Sequence, residues 1–253
     1  WDFVSRADLV EYCKKNQINM DVSSDEPLYS TDENILHTSY EGEILEDPSI
    51  PAPESIWQRT SSLNDAPDIE EEVTINFENG DPIGINGESL SASEILMHLN
   101  EVAGNNGIGR LDLVENRFTG MKSRGCYETP GGSILLKAHR AIESLALDAE
   151  TGHLKDELMP KYAQLIYNGF WWSPERESIQ AFIDKSQELV TGSVKLGLYK
   201  GNITIKERIS PYSLYDSKIV TFEDDENTYN QADATGFIKI NSLRLKANAK
   251  RKK

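Results

Sequence analysis

Apolar positions along the chain follow two spacings, and the changes between them mark out the elements. Ser5-Arg-Ala-Asp8 has the spacing of a helix-capping box. With Leu9, Val10 and Cys13 behind it, it predicts a helix over about Arg6–Lys15. Val73, Ile75 and Phe77 alternate with polar residues. Asn79-Gly-Asp-Pro82 then turns the chain into Ile83–Ile85, a predicted hairpin. Ser91-Ala-Ser-Glu94 is a second capping box, opening a helix that stops at Gly104. A short strand, Arg110–Glu115, comes next. Helical spacing returns at Ile134–Leu145 and at Leu154–Tyr167, where Pro160 must start a new turn or kink the helix. Ser173 caps a further helix with Pro174 in its first position, running to about Val190. Val194–Tyr199 and Ile203–Ile205 flank Lys200-Gly-Asn202 as another hairpin, and Gly236–Ile240 is expected to be a tail strand.

Strands in hairpins followed by runs of helices predict an α+β fold with a largely antiparallel sheet and packed helices. Residues 21–68 stand apart. They lack periodicity and contain Pro27, Pro48, Pro51, Pro53 and Pro67, so a long, mostly irregular N-terminal segment is expected. A structureless run of that length inside a domain usually carries function or serves as a linker.

The segment Gly107–Gly132, GIGRLDLVENRFTGMKSRGCYETPGG, concentrates the chemistry. In a strand over Arg110–Glu115, Leu111, Leu113 and Glu115 share one face. Glu115 thus points the same way as two leucines expected in the core, and a glycine- and cation-rich loop is expected after it. An inward carboxylate needs a cation or several donors. Two readings remain open: a ligand site at a strand end, or an internal ion pair with Arg117 or Arg124. Gly104-Asn-Asn-Gly-Ile-Gly109 has the wrong spacing for a dinucleotide fingerprint and comes after a helix, so it is expected to stop that helix and turn the chain.

Composition narrows the function classes. The 253 residues are 38% hydrophobic with a formal net charge of −16, which argues against nucleic acid and anionic membrane surfaces as partners. The exception is the basic tail, 246–253, expected to be a solvated terminus. No apolar run reaches the ~20 residues of a membrane span. Two cysteines, Cys13 and Cys126, make no disulfide framework and fit reduced thiols in the cytoplasm. Cys126 lies beside cations that lower a thiol pKa, but with no histidine nearby it is expected to be a packing residue. The four histidines are scattered without ligand spacing, so no protein metal site is expected. The acidic patches Glu70–Glu72 and Glu223–Glu226 are expected to be solvated loops.

The Gly107–Gly132 segment resembles the signature of the argininosuccinate synthase family, ATP-dependent ligases that join citrulline to aspartate. Tyr29-Ser-Thr-Asp-Glu-Asn-Ile-Leu-His-Thr-Ser-Tyr-Glu-Gly42 and Ile44-Leu-Glu-Asp-Pro48 resemble the family too. So do Leu158–Gly169, Trp172-Ser-Pro-Glu-Arg176, Lys200-Gly-Asn202 and Ala232–Ile238, all in the family's order. The family's Ser-Gly-Gly-rich ATP loop and the G-x-x-x-x-G-K-[ST] motif are both missing. The resemblance therefore implies a C-terminal synthetase part. Residues 1–20 would end a connection from a nucleotide-binding domain, and 21–245 would form the citrulline-binding and oligomerisation domain. ATP with magnesium would be bound by the other domain, and this chain alone would be inactive. The implied reaction has two steps: citrulline's ureido oxygen attacks the α-phosphorus of ATP, and the amine of aspartate then displaces AMP. A homotetramer is the implied assembly.

By the same resemblance, Ser30, Ser39, Glu115 and Tyr127 hold the amino-acid end of citrulline, with no catalytic acid or base among them. A carboxylate accepts charge-assisted bonds from an ammonium, and hydroxyls complete the shell. Each residue has a plainer alternative. Ser30 equally fits a turn cap, Ser39 an ordinary hydroxyl-to-backbone bond and Tyr127 a core aromatic. Lys122 and Arg124 either shape an anionic pocket or make salt bridges. The rival from another class is a non-catalytic oligomerisation or amino-acid-sensing module.

Overall fold

A computed structural model describes residues 2–19, 29–220, 230 and 232–252. The opening of the proline-rich segment (21–28), the Glu223–Glu226 patch and Lys253 lie outside the described residues. The chain divides into two compact units, Trp1–Tyr212 and Ser213–Lys253.

The first unit begins with α1 (Arg6–Lys15), whose capping box at Ser5 and Asp8 is formed as expected. Its main core lies under a five-stranded antiparallel sheet. The strands are β3 (Glu71–Glu78), β4 (Asp81–Ile85), β5 (Glu88–Ser89), β8 (Gly192–Tyr199) and β9 (Asn202–Ile209), in the order β5-β4-β3-β8-β9. Alternation puts Val73, Ile75 and Phe77 of β3 beside Val194, Leu196 and Leu198 of β8, all buried. Helices α2 (Ala92–Asn105) and α3 (Pro130–Ala146) close this core with Ile95, Leu99 and Ala103, and with Ile134, Ala138 and Ile142. Each series recurs every fourth residue, on one helix face. Full burial of such a side chain contributes about 1.5–3 kcal/mol. Helix α4 (Ala149–Tyr167) runs unbroken past Pro160, and α5 (Pro174–Gln187) ends three residues before the expected Val190.

The second sheet has four strands in the order β1-β2-β7-β6: β1 (Ser30–Glu33), β2 (Thr38–Glu41), β6 (Arg110–Asn116) and β7 (Lys122–Glu128). Two expectations change here. The segment expected to be irregular contains the β1–β2 hairpin and two 3-10 turns, Glu43–Glu46 and Glu54–Ile56. The expected loop after Glu115 is a tight turn returning directly into β7. β1, β2 and β7 escape the apolar pattern because most of their side chains are polar and face a cavity or a polar network, and pairing holds them instead. Leu111 and Leu113 are not core residues; they are 42% and 45% exposed, because β6 is an edge strand and its Glu115 face is open.

In the second unit, the expected strand Gly236–Ile240 lies within helix α6 (Asp233–Asn241), followed by α7 (Leu243–Ala249). Short apolar runs do not by themselves distinguish strand from helix. Phe237, Ile238 and Ile240 are exposed, and with no partner strand among the described residues a helix satisfies this backbone internally.

Candidate functional site

Strand β7 has two working faces. On the covered face, Cys126 packs with Tyr40, Leu45 and Ile56, which join the sheet to the strap 42–60. Glu128 is fully buried there. Its carboxylate accepts from Tyr40 Oη (2.6 Å), Thr60 Oγ1 (2.6 Å) and the backbone N–H groups of Gln58 (2.8 Å) and Arg59 (3.0 Å). A buried carboxylate is tolerable only with such a full set of donors. Arg110 donates from Nε to Thr60 Oγ1 at 2.7 Å, grips Glu54 through both terminal nitrogens, and lies over the Trp57 ring. Arg124, with 6% of its side chain exposed, grips both oxygens of Asp112 and donates to the carbonyls of Asp47 and Ile50. The guanidinium holds the Asp112 carboxyl below its usual range. Arg124 is thus a structural clamp. The thiol of Cys126 is pushed up to about 11 by burial and by Asp112, overriding the neighbouring cations.

On the opposite face, register brings the sequence candidates together. Tyr127 lies directly across from Ser39 on one side and Leu111 on the other. Ser39 faces Asp32, and Ser30 faces Glu41. Partners across a ladder share a face, so Ser30, Ser39, Tyr127 and Glu115 all point from the same side of the sheet. The Tyr127 ring lies along its strand over Gly125, toward the hairpin tip, and its hydroxyl donates to Glu115 Oε1 at 2.8 Å. Burial, then this bond to a carboxylate, raises the phenol pKa. Tyr127 therefore remains a donor at any physiological pH. Glu115 pairs with neither Arg117 nor Arg124, the two cations considered from sequence: Arg117 Nη2 bonds Glu41 Oε2 at 2.7 Å.

Glu115, Tyr127 and Ser30 line one cavity of about 840 Å³. Ser39 does not reach its lining. It is 8% exposed, and its hydroxyl donates across the hairpin to the Asp32 carbonyl at 3.5 Å. Ser30 is not the turn cap; Asn34 is, accepting from the N–H groups of Leu36 and His37. The lining also includes residues outside the sequence-derived candidate set: Asp32, Glu41, Arg117, His37 and Tyr167. Three of these had a signal. Asp32 and Glu41 each lie two residues beyond a candidate on the same strand face, and Arg117 lies two residues beyond Glu115 in the turn after β6. Tyr167, at the end of α4, had none. His37 stands edge-on to Tyr127 with ring centroids 6.1 Å apart. A smaller cavity of about 390 Å³ adjoins, sharing Ser30, Glu41 and Arg117. Three carboxylates against one guanidinium make the larger cavity acidic, suited to a ligand with a cationic end.

These features define an α+β domain whose one-sided sheet carries a polar, ligand-sized cavity. The family profile described as "Arginosuccinate synthase C-terminal domain" matches residues 29–248. The chain is 58% identical over 248 residues to "Argininosuccinate synthase" of Gluconobacter oxydans, covering 97% of this chain and 60% of that protein. It is 56% identical over 253 residues to the protein of the same description from Psychrobacter sp. (99% and 62%). With that of Caulobacter vibrioides it is 57% identical over 255 residues (100% and 62%). The chain belongs to the argininosuccinate synthase family, and it spans about 60% of the length of these relatives.

Proposed function

We propose that this chain is the part of an argininosuccinate synthase that holds the α-amino-acid end of citrulline. The observation that carries this reading is the Tyr127–Glu115 pair, at 2.8 Å in an acidic cavity. Citrulline bears an ammonium and a carboxylate on one carbon. Glu115 accepts from the ammonium, and Tyr127 keeps one carboxylate oxygen in place by donating to it. Ser30 completes the shell with its hydroxyl. Ser39 backs the hairpin that carries Ser30. Binding energy at this non-reacting end positions the ureido group for ligation to aspartate.

ATP does not fit these residues. A cavity lined by Asp32, Glu41 and Glu115 opposes a triphosphate, and the sequence contains no phosphate loop. ATP and its magnesium, which supply activation of the ureido oxygen, belong to the nucleotide-binding part implied by the family resemblance. The isolated chain is therefore expected to release no pyrophosphate from ATP with citrulline and aspartate. Tetrameric assembly is part of the same reading and is checked by sedimentation.

The test is Glu115→Gln in a full-length enzyme carrying this region. An ammonium–carboxylate bond contributes about 1.5–3 kcal/mol. Calorimetric titration should show citrulline weakened about ten-fold or more, with ATP binding nearly unchanged. Unaltered citrulline affinity would remove Glu115 from the site and end this reading.

A further inference from the structure

Arg117 has no assigned role, yet it is the one cation among the described residues lining the larger cavity. The other two cations nearby, Lys122 and Arg124, border the smaller adjoining cavity and are absent from the lining of the larger one. Lys122 Nζ donates to Asn116 Oδ1 at 2.7 Å, and Arg124 is locked to Asp112 and the strap carbonyls on the other face. Arg117 is fixed at its backbone, where its N–H donates to the Met121 carbonyl at 2.7 Å and its own carbonyl accepts from Gly120 N–H at 2.8 Å. Its side chain makes one bond, Nη2 to Glu41 Oε2. A guanidinium has five N–H donors, so most of this fork is uncommitted. The ion pair is partly solvated, with 49% of the Arg117 side chain and 33% of the Glu41 side chain exposed. Such pairs contribute little and are readily remade.

Glu115, in β6, and Arg117, in the turn that follows it, are two residues apart in the sequence, and both line the larger cavity. Opposite charges at that spacing would ordinarily meet. Here each is turned to a third residue, Glu115 to Tyr127 and Arg117 to Glu41. An acceptor and a donor fork thus border the same cavity. An α-amino acid presents the complementary pair, an ammonium and a carboxylate on one carbon.

We propose that Arg117 is a specificity-determining residue that binds the α-carboxylate of the amino-acid substrate while Glu115 takes its ammonium, with Glu41 holding the guanidinium in place before binding. This rests on the citrulline reading above. On this assignment the cavity distinguishes a zwitterion from a plain amine, because the planar fork matches a carboxylate bidentately.

The experiment removes the group from either side. Citrulline and the amine with the same ureido chain but no carboxylate are titrated into full-length wild-type enzyme, Arg117→Gln, Arg117→Lys and Glu115→Gln. Wild type should prefer citrulline by about ten-fold or more. Arg117→Gln should weaken citrulline by a similar factor, leave the amine unchanged and so abolish the preference. Arg117→Lys should fall between them, since it keeps the charge but not the fork. Glu115→Gln should weaken both ligands. If Arg117→Gln weakens both ligands equally, or neither, the proposal is overturned while a loss in Glu115→Gln keeps the citrulline reading intact. Failure of wild type to bind citrulline would overturn both.

Discussion

The hydroxyl of Tyr127 meets the carboxylate of Glu115 although the two residues are not ladder partners. Tyr127 faces Leu111, and Glu115 faces Ser123. The contact exists because the ring crosses Gly125 on its own strand. A Cβ added at Gly125 would stand 2.5 Å from Tyr127 Oη and 2.7 Å from its ring. Close approach of this kind is what glycine permits within a strand.

Gly125→Ala should therefore swing Tyr127 off Glu115 without disturbing the covered face of the sheet. Losing that hydrogen bond costs about 0.5–1.5 kcal/mol, so citrulline affinity in the full-length enzyme should fall several-fold. Tyr127→Phe should fall by a similar factor, and the double variant by no more than either alone. Additive losses in calorimetric titration would show that Gly125 acts through something other than the phenol.

Glu128→Gln replaces a fully buried acceptor-only group with one that turns an NH2 toward four donors. The expected loss is about 2–4 kcal/mol, from broken charge-assisted bonds and a donor left unmet. For a domain of this size that corresponds to a melting temperature lower by several degrees. Scanning calorimetry checks it, and limited proteolysis should find the strap 42–60 cut first.

Alkaline pH should destabilise the fold through Cys126. Burial raises its pKa from 9.0 to about 11. Below pH 9 the thiol is protonated in folded and unfolded chains alike, and its neutral form packs at no electrostatic cost. Between pH 9 and 11 the unfolded chain releases the proton while the folded chain retains it, so stability falls as pH rises. The two-unit shift sets a limit of roughly 3 kcal/mol. Urea unfolding at pH 8 and pH 10.5 should show a smaller pH-dependent loss in Cys126→Ser than in wild type. Tyr40 and Tyr127, raised in the same direction by burial, add to the loss at higher pH in both proteins.

The five-stranded sheet and its helices were legible in the sequence because their burial is periodic. Val73-x-Ile75-x-Phe77 and Ile95-x-x-x-Leu99 carry the signal directly. The four-stranded sheet was not, beyond β6. Ser30–Glu33 and Lys122–Glu128 carry mostly polar side chains on both faces, so their sequence shows no apolar stripe. Strand alternation brought Glu115 under suspicion and the family resemblance brought Tyr127, but neither gave their direct bond, which depends on a ring lying over a glycine. Sequence spacing also could not separate the two arginines. Both were open as partners for Glu115, yet Arg124 is clamped to Asp112 on the covered face and Arg117 lines the larger cavity. The expected tail strand is a helix: a short apolar run such as Phe237–Ile240 does not by itself separate the two, and among the described residues no strand pairs with it.

The two faces of β7 also constrain how this region can diverge. Tyr127 and Glu128 are adjacent in the chain but serve opposite sides of the sheet. Inserting or deleting a single residue in the returning strand would exchange them, presenting the strap's anchor to the ligand and the phenol to the interior. Homologous hairpins can therefore lengthen or shorten the interval from Glu115 to Tyr127 only in ways that preserve its parity, with any odd change absorbed by a bulge or within the turn at 117–121.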